Sequence, residues 1–165
     1  MVVTDRSINK SFVGIMAAII VIVAALDQLV KALMLNILAD EPIYLIGHWF
    51  RLRLLFNPGA AFSLGENSTW LFTTIQIGFV LAVIVYARKV TDMWSAVALA
   101  LIAGGALGNL IDRLFRQPGF FFGHVVDYIS VGSFAVFNIA DAAITCGVIV
   151  FIIAIVKEER RARAA

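Results

Sequence analysis

The sequence predicts an all-α polytopic membrane protein, with four transmembrane helices and a small β-like subdomain on the outer surface. Three observations lead there. Of the 165 residues, 62% are hydrophobic and only 15% charged, and the mean hydropathy of +0.97 lies far above that of a water-soluble domain of this size. Four stretches, at residues 12–35, 69–87, 94–114 and 134–156, are apolar enough and long enough to cross about 30 Å of hydrocarbon as helices. They lack the alternation of barrel strands, and lipid leaves backbone amides only helices or closed barrels as partners.

The first stretch begins with an apolar core of signal-peptide length, but no small-x-small cleavage site follows and "DQLVKALMLNIL" continues the helical pattern, so it reads as a retained span. Residues 36–68 then form the first outer loop, where "WFRLRLLFNPGAAFSLG" alternates around Arg51 and Arg53 and turns at Pro58 and Gly59, the pattern of short strands at the membrane surface. The second span ends at Arg88 and Lys89. The third contains "GGALG" at 104–108, a small-x-x-x-small surface for close helix packing. A second outer loop, 115–133, joins it to the fourth span, which ends at Lys157, Arg160, Arg161 and Arg163. Arg6 and Lys10 precede the first span, so the basic clusters flank the same side and place both termini in the cytoplasm. No linker, repeat or low-complexity tract divides the chain, and residues 1–165 read as one domain.

Composition also removes function classes. A net charge of +2 is too small for nucleic-acid binding. The single cysteine, Cys146, lies in an apolar run, which leaves neither an intramolecular disulfide nor a Cys-based zinc site.

Given this topology, the intramembrane polar residues gather in one layer near the outer face. Asp27 and Lys31 lie in the outer half of span one, Asn109, Asp112 and Arg113 at the outer end of span three, Asp127 in the short outer loop, and Asn138 and Asp141 at the outer start of span four. Ionisable groups cost several kcal/mol inside a membrane and commonly mark function. Each also has a plain structural reading. Asp27 and Lys31, four apart, fit an ion pair; Asp141 fits a first-turn carboxylate with Asn138 near the cap; Asp127 fits a solvated loop acid, and His48 and His124 fit interfacial positions.

Taken together the residues form a pattern. "GNLIDR" and "FNIAD" each place Asn and Asp at i and i+3 on one helical face, at outer helix ends joined by the loop that holds Asp127. Asp127 and Asp141 can therefore face each other across a protein-lined notch, with Asn109, Asn138 and Arg113 as donors. Two close carboxylates tend to share one proton, so that one acts as base for water and the other as acid for a carbonyl. Serine chemistry is poorly supported, because Ser63, Ser68, Ser130 and Ser133 lack a nucleophile-elbow setting. Zinc chemistry is weak, because His124-x-x-Asp127 is half a site and no His-Glu-x-x-His occurs. A proton- or ion-coupled transporter is the alternative use of paired carboxylates, although the inner halves of the spans offer it almost no polar path. A lipid-head-group transferase would call for metal-binding carboxylates and a cytosolic site.

The segments "DQLVK" at 27–31, "NPGAAFS" at 57–63, "GGALGNLIDR" at 104–113, "VVDYI" at 125–129 and "FNIADAAI" at 137–144 resemble, in order and spacing, the five motifs of bacterial lipoprotein signal peptidase (signal peptidase II). The resemblance covers nearly the whole chain. It implies an inner-membrane aspartic endopeptidase without cofactor that removes signal peptides from diacylglyceryl-modified prolipoproteins, cleaving before the lipidated cysteine. It implies Asp127 and Asp141 as catalytic residues, and Asn57, Gly105, Asn109, Arg113, Phe137, Asn138 and Ala140 as residues that shape the site or bind substrate. Asp27, Lys31 and Asp112 are expected to support it, with Gly59, Ala61 and Phe62 in a roof near the membrane lipids.

Overall fold

The computed structural model describes residues 5–59 and 69–164, with side chains at 12–59 and 69–163. In chain order the elements are α1 (Asp5–Ile37), β1 (Ile43–Ile46), β2 (Phe50–Asn57), α2 (Thr69–Tyr86), a 3-10 turn at Ala87–Lys89, α3 (Met93–Phe115), β3 (Val125–Val131) and α4 (Ile139–Ala164). Among the described residues, four helical segments are long and apolar enough to cross a membrane: Phe12–Ile37, Thr69–Lys89, Met93–Phe115 and Ile139–Arg163. The predicted class, a helical membrane protein with a small sheet, is the one observed.

The third helix is the hub of the bundle: 56% of its most apolar stretch is buried inside the protein, against 17% for each of the others. Up to Gly108 its buried positions are small: Ala96, Ala98, Ala100, Ala103, Gly104, Gly105, Ala106 and Gly108. In lipid there is little hydrophobic drive between helices, so close van der Waals packing must hold them, and small residues permit it. A methyl group on Gly104 would lie 2.8 Å from Val23 Cβ on α1, and one on Gly105 would collide with the Ala140 carbonyl oxygen on α4. The outward faces carry Val21, Ile22, Leu29, Val85 and Ile152, all exposed, the surface expected against hydrocarbon.

The three strands form one antiparallel sheet in the order β1-β2-β3. The first two are the surface strands expected of the first outer loop. The third was not expected: "VVDYISV" is buried along most of its length, so it lacks the alternation that marks a half-exposed strand. Between Leu52 and Leu55 the second strand bulges, pairing those residues with Ile129 and Asp127. Asn57, two residues beyond Leu55, thereby projects from the same face as Asp127 and reaches it diagonally.

The fourth helix begins later than the apolar run from Phe134 predicts. Phe137 donates its N–H to the Ile129 carbonyl at 3.0 Å and accepts from the N–H groups of Tyr128 and Ile129 at 3.1 and 2.8 Å, holding the chain extended along β3. Asn138 then caps α4. Its Oδ1 accepts from the Asp141 N–H at 3.0 Å, and Asp141 Oδ2 accepts from the Asn138 N–H at 3.1 Å, a reciprocal capping box with Asp in the third helical position. The expectation that Asn138 and Asp141 share a helical face is corrected accordingly: Asn138 precedes the helix, and its side-chain amide nitrogen is left to reach elsewhere.

Candidate active site

Side chains of α1 and α3 meet on one ammonium group, and through them α4 and β3 are tied in. Buried Lys31 on α1 donates to Asp27 Oδ2 at 2.7 Å, to Asp112 Oδ2 at 2.7 Å and to Asn109 Oδ1 at 2.9 Å, using all three of its N–H bonds. Asp27 Oδ1 accepts the Ala140 N–H of α4 at 3.0 Å, so Asp27 completes the cap of that helix. Asp112 accepts the Val126 N–H of β3 at 3.2 Å and is bonded on its other oxygen by Arg116 and by Gln28, the latter at 3.1 Å. Two carboxylates, Lys31 and Arg116 balance in formal charge. The sequence-expected pair of Asp27 and Lys31 is thus one edge of a larger network that fixes α1, α3, α4 and β3 relative to one another.

The remaining two carboxylates lie on the far side of Asn109 and Asn138. Asp127 accepts from Asn57 Nδ2 at 2.9 Å and from Asn138 Nδ2 at 2.7 Å. Asp141 accepts from Asn109 Nδ2 at 2.8 Å and from the Asn138 N–H. Asn138 Nδ2 also approaches Asn109 Oδ1 at 3.0 Å. One residue, Asn138, therefore touches both carboxylates, one through its side chain and one through its backbone. Among the described residues neither Asp127 nor Asp141 forms an ion pair. Burial first, and then the charge of Asp141, push the Asp127 carboxyl up to about 7, against the pull of the Asn57 amide, the more distant Lys31 charge and the Asn138 amide.

Both carboxylates open into a cavity of about 670 Å³ whose other walls are largely apolar, including Phe72 and Ile75 of α2, Phe134 and Phe137, and Ile144 of α4. Arg113 lines it as well, but departs from the expected contact with the carboxylates. Its guanidinium donates to the carbonyls of Pro58 and Gly59, at 3.2 and 2.6 Å, and lies over the Phe72 ring at 5.7 Å from its centre. It thus holds the turn after β2, and with it Gly59, at the edge of the cavity. Gly105 and Ala140 supply the close contact of α3 with α4 described above rather than lining the cavity. Ala61 and Phe62, expected as part of a roof, lie outside the described residues.

Most of the apolar lining escaped the sequence reading, and so did one amide residue. Phe72 shows no signal in an apolar span. Gln76 does: it is an amide in the middle of span two, the same kind of anomaly that singled out Asn109, and its Oε1 is buried without a hydrogen-bond partner.

Fold and cavity define a multi-pass membrane protein with a two-carboxylate site at one end of its helix bundle. The chain belongs to the signal peptidase II family, whose model, described as Signal peptidase (SPase) II, matches residues 19–157. The lipoprotein signal peptidase of Rhodococcus jostii is 48% identical over 133 residues, covering 80% of this chain and 67% of the relative. That of Streptomyces coelicolor is 44% identical over 150 residues, covering 90% of this chain and 74% of the relative. A bacterial membrane enzyme solved by the in meso method at 2.3 Å superposes with a TM-score of 0.74 and 32% identity, over 88% of this chain and 90% of that one.

The network predicts a specific weakness. Lys31→Met leaves Asp27 and Asp112 buried without their ammonium, and loss of one partner from a buried ion cluster costs about 3–5 kcal/mol. A marked fall in thermal midpoint in detergent is expected, and an unchanged midpoint would remove the network from the fold's support.

Proposed function

We propose that this chain is an aspartic endopeptidase in which Asp127 and Asp141 together activate water, and that it cuts the bond preceding a diacylglyceryl-modified cysteine. As a member of the signal peptidase II family it is a protease that removes signal peptides from prolipoproteins. The observation that supports the catalytic assignment is the pairing itself: two carboxylates on one cavity, joined through Asn138, with neither in an ion pair among the described residues.

In this mechanism Asp127 carries the proton and Asp141 is ionised. Asp141, in the first turn of α4, takes a proton from a water molecule as its oxygen attacks the scissile carbonyl carbon. Asp127 gives its proton to the carbonyl oxygen, forming a tetrahedral diol. The proton held by Asp141 then passes to the leaving nitrogen as the C–N bond breaks, and the diol's O–H proton returns to Asp127 as the carboxylic acid forms. Neither metal nor covalent intermediate is needed. The four N–H bonds from Asn57, Asn109 and Asn138 keep the carboxylate oxygens fixed while the proton moves.

The positive-inside bias of the basic clusters supports a topology with both termini in the cytoplasm and the site near the outer face of the membrane. A substrate cysteine with two acyl chains would then sit at a fixed depth beside the cavity, each buried CH₂ adding about 0.8 kcal/mol to partitioning, and lateral diffusion would replace a three-dimensional search.

Asp127→Asn and Asp141→Asn are each expected to abolish nearly all cleavage of a lipidated propeptide while leaving the thermal midpoint close to that of the parent, with a chelator having little effect. Appreciable turnover by either variant would remove that residue from catalysis, and inhibition by chelator would call for a metal. A pH profile supplies an independent check. Because the raised Asp127 group keeps its proton below about 7 and loses it above, kcat/KM should fall as pH rises through that value, approaching about tenfold per unit. A flat profile up to pH 9 would contradict Asp127 as the acid.

A further inference from the structure

The reaction described above takes no proton from Lys31, yet this lysine is fully buried and is joined to Asp141 through a single side chain. Two of its N–H bonds go to Asp27 and Asp112. The third goes to Asn109 Oδ1 at 2.9 Å, and Asn109 Nδ2 in turn donates to Asp141 Oδ1 at 2.8 Å. An ammonium and a carboxyl group thus sit at the two ends of one amide.

A side-chain amide can lie either way round, because its oxygen and nitrogen are nearly the same size and turning it over exchanges acceptor for donor. An ammonium has donors only, so it admits the oxygen alone. With Lys31 in place, Asn109 turns its N–H bonds on Asp141, and such bonds favour the ionised form of a carboxyl group. Turned over, the amide would offer Asp141 an oxygen, which repels a carboxylate and accepts from a carboxylic acid. Which way round Asn109 lies therefore selects the member of the pair that keeps the proton.

The other donor to Asn109 Oδ1 holds it less firmly. Asn138 Nδ2 lies 3.0 Å from that oxygen, but also 2.7 Å from Asp127 Oδ1 and 3.3 Å from the Val126 carbonyl. Its two N–H bonds face three acceptors, so it can release Asn109 and keep both bonds. Lys31 cannot, and its bond is charge-assisted, roughly twice as strong as a neutral one. The remaining charges nearby are engaged elsewhere. Asp27 of α1 and Asp112 and Arg116 of α3 close on one another through Lys31. Arg113 of α3 holds the Pro58 and Gly59 carbonyls, and Asp127 of β3 has its own donors in Asn57 and Asn138.

We propose that Lys31 is a positioning residue for the reaction: by holding the oxygen of Asn109 it turns the N–H bonds of that amide on Asp141, and so assigns the base role to Asp141 and the acid role to Asp127. The inference rests on the reading of Asp127 and Asp141 as the catalytic pair. It gives the buried ion network a task beyond joining helices. The two tasks are separable, because support of the fold needs balanced charge, whereas the orientation of Asn109 needs a donor at Lys31.

The test measures thermal midpoint and cleavage of a lipidated propeptide in five variants. These are Asp27→Asn, Lys31→Met and Asp112→Asn combined; Asn109→Leu; those four changes together; Asn109→Asp; and Asp127→Asn. The triple variant leaves no buried carboxylate without its cation and keeps side-chain oxygens for the Ala140 and Val126 N–H groups, so its midpoint should lie above that of Lys31→Met. Its kcat should still fall roughly 10- to 100-fold, the scale for losing a hydrogen bond to a charged group, with KM within about twofold of the parent. Adding Asn109→Leu to the triple variant should cost no more than Asn109→Leu alone, since Lys31 acts only through that amide. Parent-like kcat in the triple variant, a loss carried by KM, or losses that multiply when Asn109→Leu is added would each overturn the assignment. Asn109→Asp covers a triple variant that fails to fold: Lys31 keeps its acceptor while Asp141 meets an oxygen, so kcat should fall at least as far, and parent-like kcat there also overturns the assignment. Asp127→Asn separates the two claims. If it is inert while the triple variant turns over like the parent, Lys31 alone fails; if it cleaves, the catalytic pair fails and the role of Lys31 goes with it.

Discussion

A helix that starts beside lipid cannot leave its first N–H groups bare, and the residues that cap α4 are the ones that build the site. Asn138 and Asp141 satisfy each other across the first turn, and Asp27, reaching over from α1, takes the Ala140 N–H. Once the cap is made, Asp141 is fixed at the cavity and the Asn138 amide is aimed at Asp127. Removing the cap would disturb the helix end, the carboxylate geometry and the α1–α4 contact together. The same economy governs Asn109, which accepts from the buried Lys31 and donates to Asp141, linking a charge-balanced support on one side to the carboxylates on the other.

The support and the site differ in how they treat charge. Around Lys31, cations balance Asp27 and Asp112, and the cluster is closed. Around Asp127 and Asp141, neutral amides surround the carboxylates and no ion pair forms among the described residues. Neutral donors hold a carboxylate in place without pinning its charge, so desolvation and the neighbouring Asp141 can lift Asp127 to about 7. This contrast also argues against a proton-transport reading: the carboxylates of the cavity lie at one end of the bundle, while the opposite ends of the helices carry apolar contacts such as Met16, Val83 and Ala96.

Much of this was legible in the sequence, for physical reasons. Membrane spans are long and uniformly apolar, so four helices could be read directly, and the cost of burying charge made Asp27, Lys31, Asn109, Asp112, Asp127, Asn138 and Asp141 stand out as one layer. What escaped were features set by tertiary contact. The third strand is buried along most of its length and so shows no alternation. Residues 134–137 are apolar enough to be helical, yet Phe137 pairs with Ile129 and the cap stops the helix at Ile139. The partner of Arg113 turned out to be backbone carbonyls, which sequence does not display. Gln76 carried a readable signal that no motif drew attention to.

The central claim is that one carboxylic acid of the pair stays protonated near neutral pH because it is buried beside another carboxylate. Infrared difference spectroscopy of the protein in membranes, titrated from pH 5 to pH 9, reads that proton directly through the C=O stretch of a protonated carboxyl group. A band that disappears with a midpoint of about 7, is missing in Asp127→Asn and shifts in Asn138→Leu is the result expected. If no such band exists, or if it survives in Asp127→Asn, the proton is not where the geometry puts it and the shared-proton account is wrong.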